Sequence, residues 1–248
     1  MNCLVKIKKA FINIRLFSFL LTLFSLSVCT FVPDASSLDP GAFLAAQENK
    51  IGQSSQVLLV TDNSFLFFTE KKVYALEKRA NIWELAFAPL TAVIGKNGFA
   101  PPGEKREGDG KTPSGIYPLQ MTFGYDKSIK TKMPYRQALA DDLWIDDANA
   151  DDYNRWVKKE TTHAKSYEKM RRDDNLYKYG IVIEYNTNPV IKGYGSAIFF
   201  HAWGGDDITT EGCVAVSEEN IVKILEWLDP KALPLIIIGT ETTTGGLP

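Results

Sequence analysis

The sequence contains only three cysteines and two histidines in 248 residues, and this scarcity limits the sites that it can form. The cysteines, Cys3, Cys29 and Cys213, form no CxxC pair and have no histidines nearby at zinc-finger spacing, which argues against a structural metal site. The sequence also lacks a phosphate-binding loop followed by a helix and a dinucleotide fingerprint. We therefore expect neither a metal nor an organic cofactor.

The sequence also lacks an excess of charge of either sign. It has 28 basic and 30 acidic residues, which give a formal net charge of -2. A protein with this balance has no global cationic field that would attract nucleic acid or an anionic membrane. We expect no nucleic-acid partner.

Residues 1–32 have the order of a secretory leader, in which basic residues precede an apolar run at residues 16–32. This segment is predicted to be a signal peptide or an N-terminal anchor, followed by a linker at residues 33–54. The expected location is outside the cytoplasm, in the periplasm or cell envelope, and contact with a membrane is expected only through an uncleaved leader. Cleavage after Cys29 would leave Cys213 without a partner for an internal disulfide.

Residues 55–240 are predicted to form one mainly β (β-rich α+β) domain, with residues 241–248 as a tail. Short β-branched and aromatic segments predict an antiparallel meander and further strands along the chain, at residues 57–61, 64–69, 72–77, 82–87, 91–94, 179–185, 196–200, 214–216 and 233–239. A long glycine- and proline-rich segment at residues 95–115 is typical of a functional loop. The polar and aromatic residues 141–175 are predicted to be an insertion over the sheet. Ser217 is predicted to cap the one clear helix.

Cys213 is the cysteine most suited to chemistry. It lies twelve residues after His201, and a strand, a loop and a second strand can bring the two side chains together. A histidine that takes the thiol proton makes a cysteine a good nucleophile. The alternative is structural, because a lone cysteine between Gly212 and Val214 is often a small core residue.

Three segments of the sequence resemble the L,D-transpeptidases with a YkuD-type catalytic domain. They are Gly108-Asp109-Gly110-Lys111-Thr112-Pro113-Ser114-Gly115, Gly195-Ser196-Ala197-Ile198-Phe199-Phe200-His201 and Glu211-Gly212-Cys213-Val214-Ala215. The resemblance implies an L,D-transpeptidase-like catalytic fold with a polar insertion and a helix after the catalytic cysteine. It also implies that Cys213 is the nucleophile, that His201 is its base, and that Gly212 and Cys213 supply oxyanion N–H groups.

The resemblance implies an exported cysteine acyltransferase that acts on peptidoglycan stem peptides. Cys213 would form an acyl-enzyme, and an amine would resolve it in a 3-3 cross-link or an attachment to the wall. An L,D-carboxypeptidase or wall-peptide hydrolase would use the same nucleophile, since the choice of acceptor depends on pocket shape and water access. A non-catalytic peptidoglycan-binding module is the third alternative.

The sequence departs from the commoner motif of this family beside the cysteine. Glu211 stands where a histidine is usual, and Ala215 stands where an arginine is usual. A carboxylate near the thiol raises the thiol pKa unless it points away or holds a cation. Because position 215 lacks a guanidinium, another cation would have to bind a substrate carboxylate. The predicted substrate-binding residues are Arg106, Lys111, Thr210 and Glu211.

Overall fold

The computed structural model describes residues 39–65 and 68–240. Their side chains are also described, except for those of residues 63–69. The predicted leader at residues 1–32, the first part of the linker and the tail at residues 241–248 lie outside the described residues. In the described part of the chain, no helix is long and apolar enough to cross a membrane.

The described chain consists mainly of β-strands. The strands are β1 (Gln56–Phe65), β2 (Phe68–Arg79), β3 (Ile82–Leu85), β4 (Leu90–Ala92), β5 (Phe99–Ala100), β6 (Thr112–Pro113), β7 (Gly115–Gly124), β8 (Tyr135–Gln137), β9 (Asp142–Ile145), β10 (Trp156–Lys158), β11 (Tyr167–Lys169), β12 (Tyr179–Ile183), β13 (Phe199–Ala202), β14 (Val214–Val216) and β15 (Leu235–Ile238). The helices are α1 (Pro40–Ala46), α2 (Glu48–Ile51) and α3 (Glu218–Trp227), with short 3-10 turns at Lys159–Thr161 and Pro230–Ala232.

The largest sheet contains ten strands and is mixed. Its order is β14-β13-β12-β7-β15-β1-β2-β3, with β4 on β2 and β8 on β7. Three of its pairings are parallel: β1 with β15, β7 with β8, and β13 with β14. The pairing of β1 with β15 joins distant parts of the chain. The mainly β fold that the sequence predicted is confirmed.

The two faces of this sheet bury different clusters, because successive strand residues point to opposite sides. One face is covered by α3, whose Ile221, Ile224 and Leu225, together with Leu228 just after the helix, are buried in the largest core cluster. Ser217 caps α3 by accepting a hydrogen bond from the N–H of Asn220, as the sequence predicted. The opposite face carries two smaller clusters, one beneath α1 and α2 and one beneath residues 141–175.

Two sequence-based assignments differ from the structure. The predicted strand at residues 57–61 continues to Phe65 in β1, because the pairing with β2 runs through Asp62, opposite Lys71, to Phe65, opposite Phe68, so the predicted strand at residues 64–69 is divided between β1 and β2. The predicted linker contains α1 and α2, which bury Leu44 and Ile51 in the core. Apolar residues there are too few to show a helical period.

The insertion at residues 141–175 forms a sheet of its own, in the order β10-β9-β11. Few signs of a buried strand are visible in the sequence there, but all four residues of β9 are buried. Strand β9 is buried on both sides, so it lacks the alternation of polar and apolar residues that marks a half-buried strand. Trp144 and Trp156 pack edge-on against Phe199 and Phe123 of the main sheet, which confirms that the insertion covers that sheet.

Candidate active site

Strands β13 and β14 bring His201 and Cys213 to the same face of the sheet. In this parallel pair, Phe200 lies opposite Val214 and His201 lies opposite Ala215. Cys213 directly precedes β14, so alternation directs its side chain to the same face as that of His201. Both side chains line one cavity. The structure therefore brings the two side chains to one cavity, and their roles as nucleophile and base stay predictions.

The sulfur of Cys213 is held by the backbone just before and at the start of β13. The N–H of Phe199 donates a hydrogen bond to Sγ at 3.3 Å, and the thiol donates to the carbonyl of Ala197, also at 3.3 Å. Cys213 is 8% exposed. Burial raises the pKa of the thiol to about 12, and the Phe199 N–H opposes this increase. The resting sulfur is therefore a protonated thiol.

His201 is also buried and uncharged at rest. Its Nδ1 lies 2.7 Å from the carbonyl oxygen of Ala202. Because a carbonyl can only accept, Nδ1 carries the proton and Nε2 is left as the basic nitrogen. Burial lowers the pKa of His201 to about 4, and the bond to Ala202 partly offsets this effect. The sequence did not identify the group that orients His201. In the structure, the backbone of Ala202 contacts Nδ1, and the backbone of Leu176 also acts on the ring and raises its pKa.

The loop before Cys213 is fixed by two threonine hydroxyls. Thr210 Oγ1 donates to the carbonyl of Cys213 at 2.7 Å and accepts the N–H of Gly212 at 3.1 Å. Thr112 Oγ1 lies 3.4 Å from the same Cys213 carbonyl and accepts the N–H of Gly95 at 2.8 Å. The predicted oxyanion donor Gly212 thus has a partner at rest, and its catalytic role stays a prediction.

The glycine-rich segment at residues 108–115 packs directly on this loop. At Gly212, whose φ is +149°, a Cβ would lie 2.9 Å from the carbonyl oxygen of Lys111. At Gly95 a Cβ would lie 2.5 Å from the carbonyl oxygen of Gly110. Glycine is needed at both positions because two backbones approach each other without room for a side chain.

The cavity above Cys213 and His201 has a volume of about 400 Å³ and carries charges of both signs. Its cationic lining residues are Lys105 and Arg172, and its acidic lining residues are Glu107, Asp146, Glu168 and Glu211. Leu176, Trp203 and Ile208 add apolar surface. The cavity therefore suits a ligand that carries both charged and apolar groups.

The sequence as a whole matches a known family over most of its length. The match is to the YkuD family, described as the L,D-transpeptidase catalytic domain, and it covers residues 61–238. The chain belongs to this family. The strand-rich mixed sheet agrees with that fold.

No curated protein matches the sequence of this L,D-transpeptidase-family domain. Among solved structures, it is similar to Bd1075 from Bdellovibrio bacteriovorus, with 19% sequence identity and a TM-score of 0.38. The likeness covers 75% of this chain and 48% of that chain, so this chain spans about half the length of that structure.

The L,D-transpeptidase-family cavity includes two of the four predicted substrate-binding residues. Thr210 and Glu211 line it, whereas Arg106 and Lys111 do not. The Arg106 guanidinium instead stacks on the ring of Tyr194 at 4.3 Å and donates to backbone carbonyls of its own loop. Lys111 lies in the glycine-rich segment, where its carbonyl faces Gly212.

Glu211 points toward solvent and holds a cation, which resolves the conflict that the sequence raised. Its side chain is 76% exposed and forms a salt bridge of 2.8 Å with Lys96. A carboxylate next to the nucleophile is therefore compatible with a reactive cysteine in this family member.

Sequence reasoning missed the cations that do line the cavity. Lys105 is 4% exposed and pairs with Asp109 at 2.5 Å. Arg172 pairs with Glu168 at 3.0 Å and with Asp174 at 2.5 Å. Both occur in charged runs of the sequence, at residues 104–109 and 168–174, and such runs are usually solvated. Their position in the cavity was not visible in the sequence, because the packing of the insertion brings Arg172 there from the segment after β11.

Within the described part of the chain, no three His, Cys, Asp or Glu side chains are arranged to hold a metal ion. The acidic lining has another property. Burial raises the pKa of Asp146 and of Glu168. Asp146 Oδ1 is buried without a hydrogen-bond partner, so the cavity contains acceptor capacity that the protein itself does not use.

Proposed function

We propose that this protein is an L,D-transpeptidase that forms an acyl-enzyme at Cys213 and transfers it to an amine. Family membership supports an enzyme that acts on peptidoglycan stem peptides. The observation that carries the specific proposal is the placement of Cys213 and His201 on one sheet face, at a cavity lined by both signs of charge. The proposed donor is the stem peptide, cleaved after its L-configured centre.

The two neutral partners suit a mechanism in which proton transfer accompanies attack. The thiol proton moves to His201 Nε2 as Sγ bonds to the substrate carbonyl carbon. His201 then gives this proton to the departing amine as the carbon–nitrogen bond breaks, which leaves a thioester on Cys213. An acceptor amine attacks the thioester, its proton passes to His201, and the carbon–sulfur bond breaks with return of the proton to sulfur.

We propose that the charged lining orients the two substrates. Arg172 and Lys105 bind carboxylate groups of the donor stem, in place of the arginine that Ala215 replaces. The acidic side chains Asp146 and Glu168 attract the ammonium form of the acceptor. These assignments are supported by the residues that line the cavity, and they replace Arg106 and Lys111 as the proposed cations.

The test is mass spectrometry of protein that lacks residues 1–32, incubated with disaccharide-tetrapeptide fragments. We expect cross-linked dimers and a Cys213 adduct that lacks the terminal residue of the stem, and both are absent from Cys213→Ala. Tripeptides without dimers identify an L,D-carboxypeptidase instead, since water then resolves the same acyl-enzyme. Binding of the fragments without any adduct contradicts the enzymatic proposal and supports a binding module.

We also propose that the protein works in the periplasm or cell envelope and contacts the membrane only through an uncleaved leader. The support is the order of charge and apolar residues in residues 1–32. A fusion of residues 1–55 to a phosphatase that folds only outside the cytoplasm tests this. An active fusion is expected, and an inactive but stable fusion contradicts export.

A further inference from the structure

Asn154 of the insertion is fully hydrogen-bonded at a buried position, although it does not line the cavity. It is 2% exposed. Its Oδ1 accepts the Trp144 Nε1–H at 2.7 Å and the N–H of Ala197 at 3.1 Å. Its Nδ2 donates to the carbonyls of Asn186 at 2.6 Å and Tyr185 at 3.3 Å. All four bonding positions of this amide are used, and only this orientation matches donors to acceptors.

The N–H that Asn154 holds belongs to a strained residue. Ala197 has a φ of +52°, in the left-handed region that a residue with a Cβ seldom adopts. This conformation costs about 1–2 kcal/mol and persists only where neighbouring contacts enforce it. Strain of this kind indicates that the orientation of the following peptide matters.

The strained peptide is the one that holds the nucleophile. The carbonyl of Ala197 accepts the Cys213 thiol, and the N–H of Phe199, two residues later, donates to the same sulfur. Residues 197–199 therefore enclose Sγ with one acceptor and one donor. A rotation of the Ala197 peptide would remove the acceptor and free the thiol to adopt other rotamers relative to His201.

We propose that Asn154 is a positioning residue for Cys213, which acts through the left-handed backbone of Ala197. The proposal rests on the proposed role of Cys213 as nucleophile. It gives the insertion a function beyond covering the sheet, because Trp144 and Asn154 connect the insertion to the backbone around the sulfur. Loss of the Asn154 side chain lets Ala197 relax, and the thiol then loses its fixed direction.

The test variant is Asn154→Gly, because Asn154 itself has a φ of +56° that glycine adopts without strain. The matched control is Leu59→Ala, a buried position in a separate cluster beneath α1 and α2, which lowers stability without touching the cavity. Two rates are measured, and each is normalised to the concentration of folded protein. One is acyl-enzyme formation with the tetrapeptide fragment, and the other is alkylation of Cys213 by iodoacetamide as a function of pH.

For Asn154→Gly we expect at least a tenfold loss of acylation rate and an alkylation profile displaced to lower pH, because the thiol has lost its acceptor. Leu59→Ala should keep the wild-type values of both. Adding Ala197→Gly to Asn154→Gly should restore several-fold of the acylation rate, since glycine adopts the left-handed conformation freely. Wild-type rates in Asn154→Gly, or no recovery in the double variant, would overturn the proposal.

The alkylation profile separates this proposal from the proposed function, because it needs no substrate. If the wild-type protein forms no acyl-enzyme with stem peptides, the transpeptidase proposal fails. A displaced alkylation profile in Asn154→Gly then still supports positioning of the thiol by Asn154, and an unchanged profile refutes it.

Discussion

The buried, neutral His201 makes the stability of the fold depend on pH in a way that one substitution isolates. Its pKa is about 4 in the folded protein, against the usual 6.5 in an unfolded chain. Between these values the unfolded chain binds a proton that the folded protein does not, so stability is lost as the pH falls from 6.5 toward 4. Each pKa unit corresponds to about 1.4 kcal/mol, which gives a loss of about 3 kcal/mol at pH 4.

The substitution His201→Gln removes this titration, and the comparison of the two proteins cancels the contributions of unrelated carboxyl groups. Urea unfolding, followed by tryptophan fluorescence at several pH values between 7.5 and 4, measures the difference in unfolding free energy. We expect the advantage of the wild type over His201→Gln to shrink by about 3 kcal/mol across this range. His163→Gln, at an exposed histidine of the insertion, is the matched control and should track the wild type.

A constant difference between wild type and His201→Gln would show that His201 charges at its usual pH in the folded protein, and would refute the reasoning. The same property predicts the acid limb of acylation. Because His201 must be neutral to accept the thiol proton, the rate of acyl-enzyme formation should stay high down to about pH 5, and its half-point should lie near pH 4.

Three further substitutions test the geometry of the cavity. Gly212→Ala should lower the free energy of unfolding by about 2–4 kcal/mol and abolish acylation. Gly103→Ala, at a positive φ with open space around it, should lower it by only about 1 kcal/mol. Equal losses in urea unfolding would contradict the close backbone contact at Gly212. Arg172→Gln should raise KM for the stem peptide roughly tenfold through loss of a charge-assisted bond. Arg106→Gln should leave KM unchanged. The reverse result in steady-state kinetics would show that Arg106, and not Arg172, binds the substrate. Glu211→Gln should change unfolding by less than about 1 kcal/mol, since its ion pair is exposed, and should leave the pH profile of Cys213 alkylation in place; a displaced profile would show that the carboxylate acts on the thiol.

The proximity of Cys213 and His201 could be predicted from the sequence because its signal is local. Cys213 and His201 lie at adjacent strands, and the eleven residues between them are enough for a loop and no more. The start of α3 was predictable for the same reason, since Ser217 and the apolar residues after it define the cap and the buried face within three turns.

The charged lining could not be predicted, because its members meet only through long-range packing. Arg172 reaches the cavity from the end of the insertion, and Lys105 reaches it from the glycine-rich segment. In the sequence, each belongs to a run of mixed charge that resembles an exposed loop. The insertion's buried strand β9 was hidden for a related reason, since burial on both faces removes the alternation that identifies a strand.

The glycine-rich segment contains a threonine, Thr112, whose role could not be worked out from the sequence. Thr112 belongs to the motif that carried the family resemblance, yet the motif alone does not state why a threonine is required. The structure supplies the reason, because its buried hydroxyl lies between the Gly95 N–H and the Cys213 carbonyl. Thr112 therefore links the glycine-rich segment to the loop that carries Cys213.

The parallel pairing of β1 with β15 has a consequence for the order of folding. Residues 57–60 and 235–238 are neighbours in the middle of the large sheet, so the sheet cannot close until almost the whole chain has been synthesised. Contacts between such distant segments form slowly, because the loop that they close is long. Until β15 is in place between them, β7 and β1 each present an unpaired strand edge, which is the kind of surface that pairs with another chain.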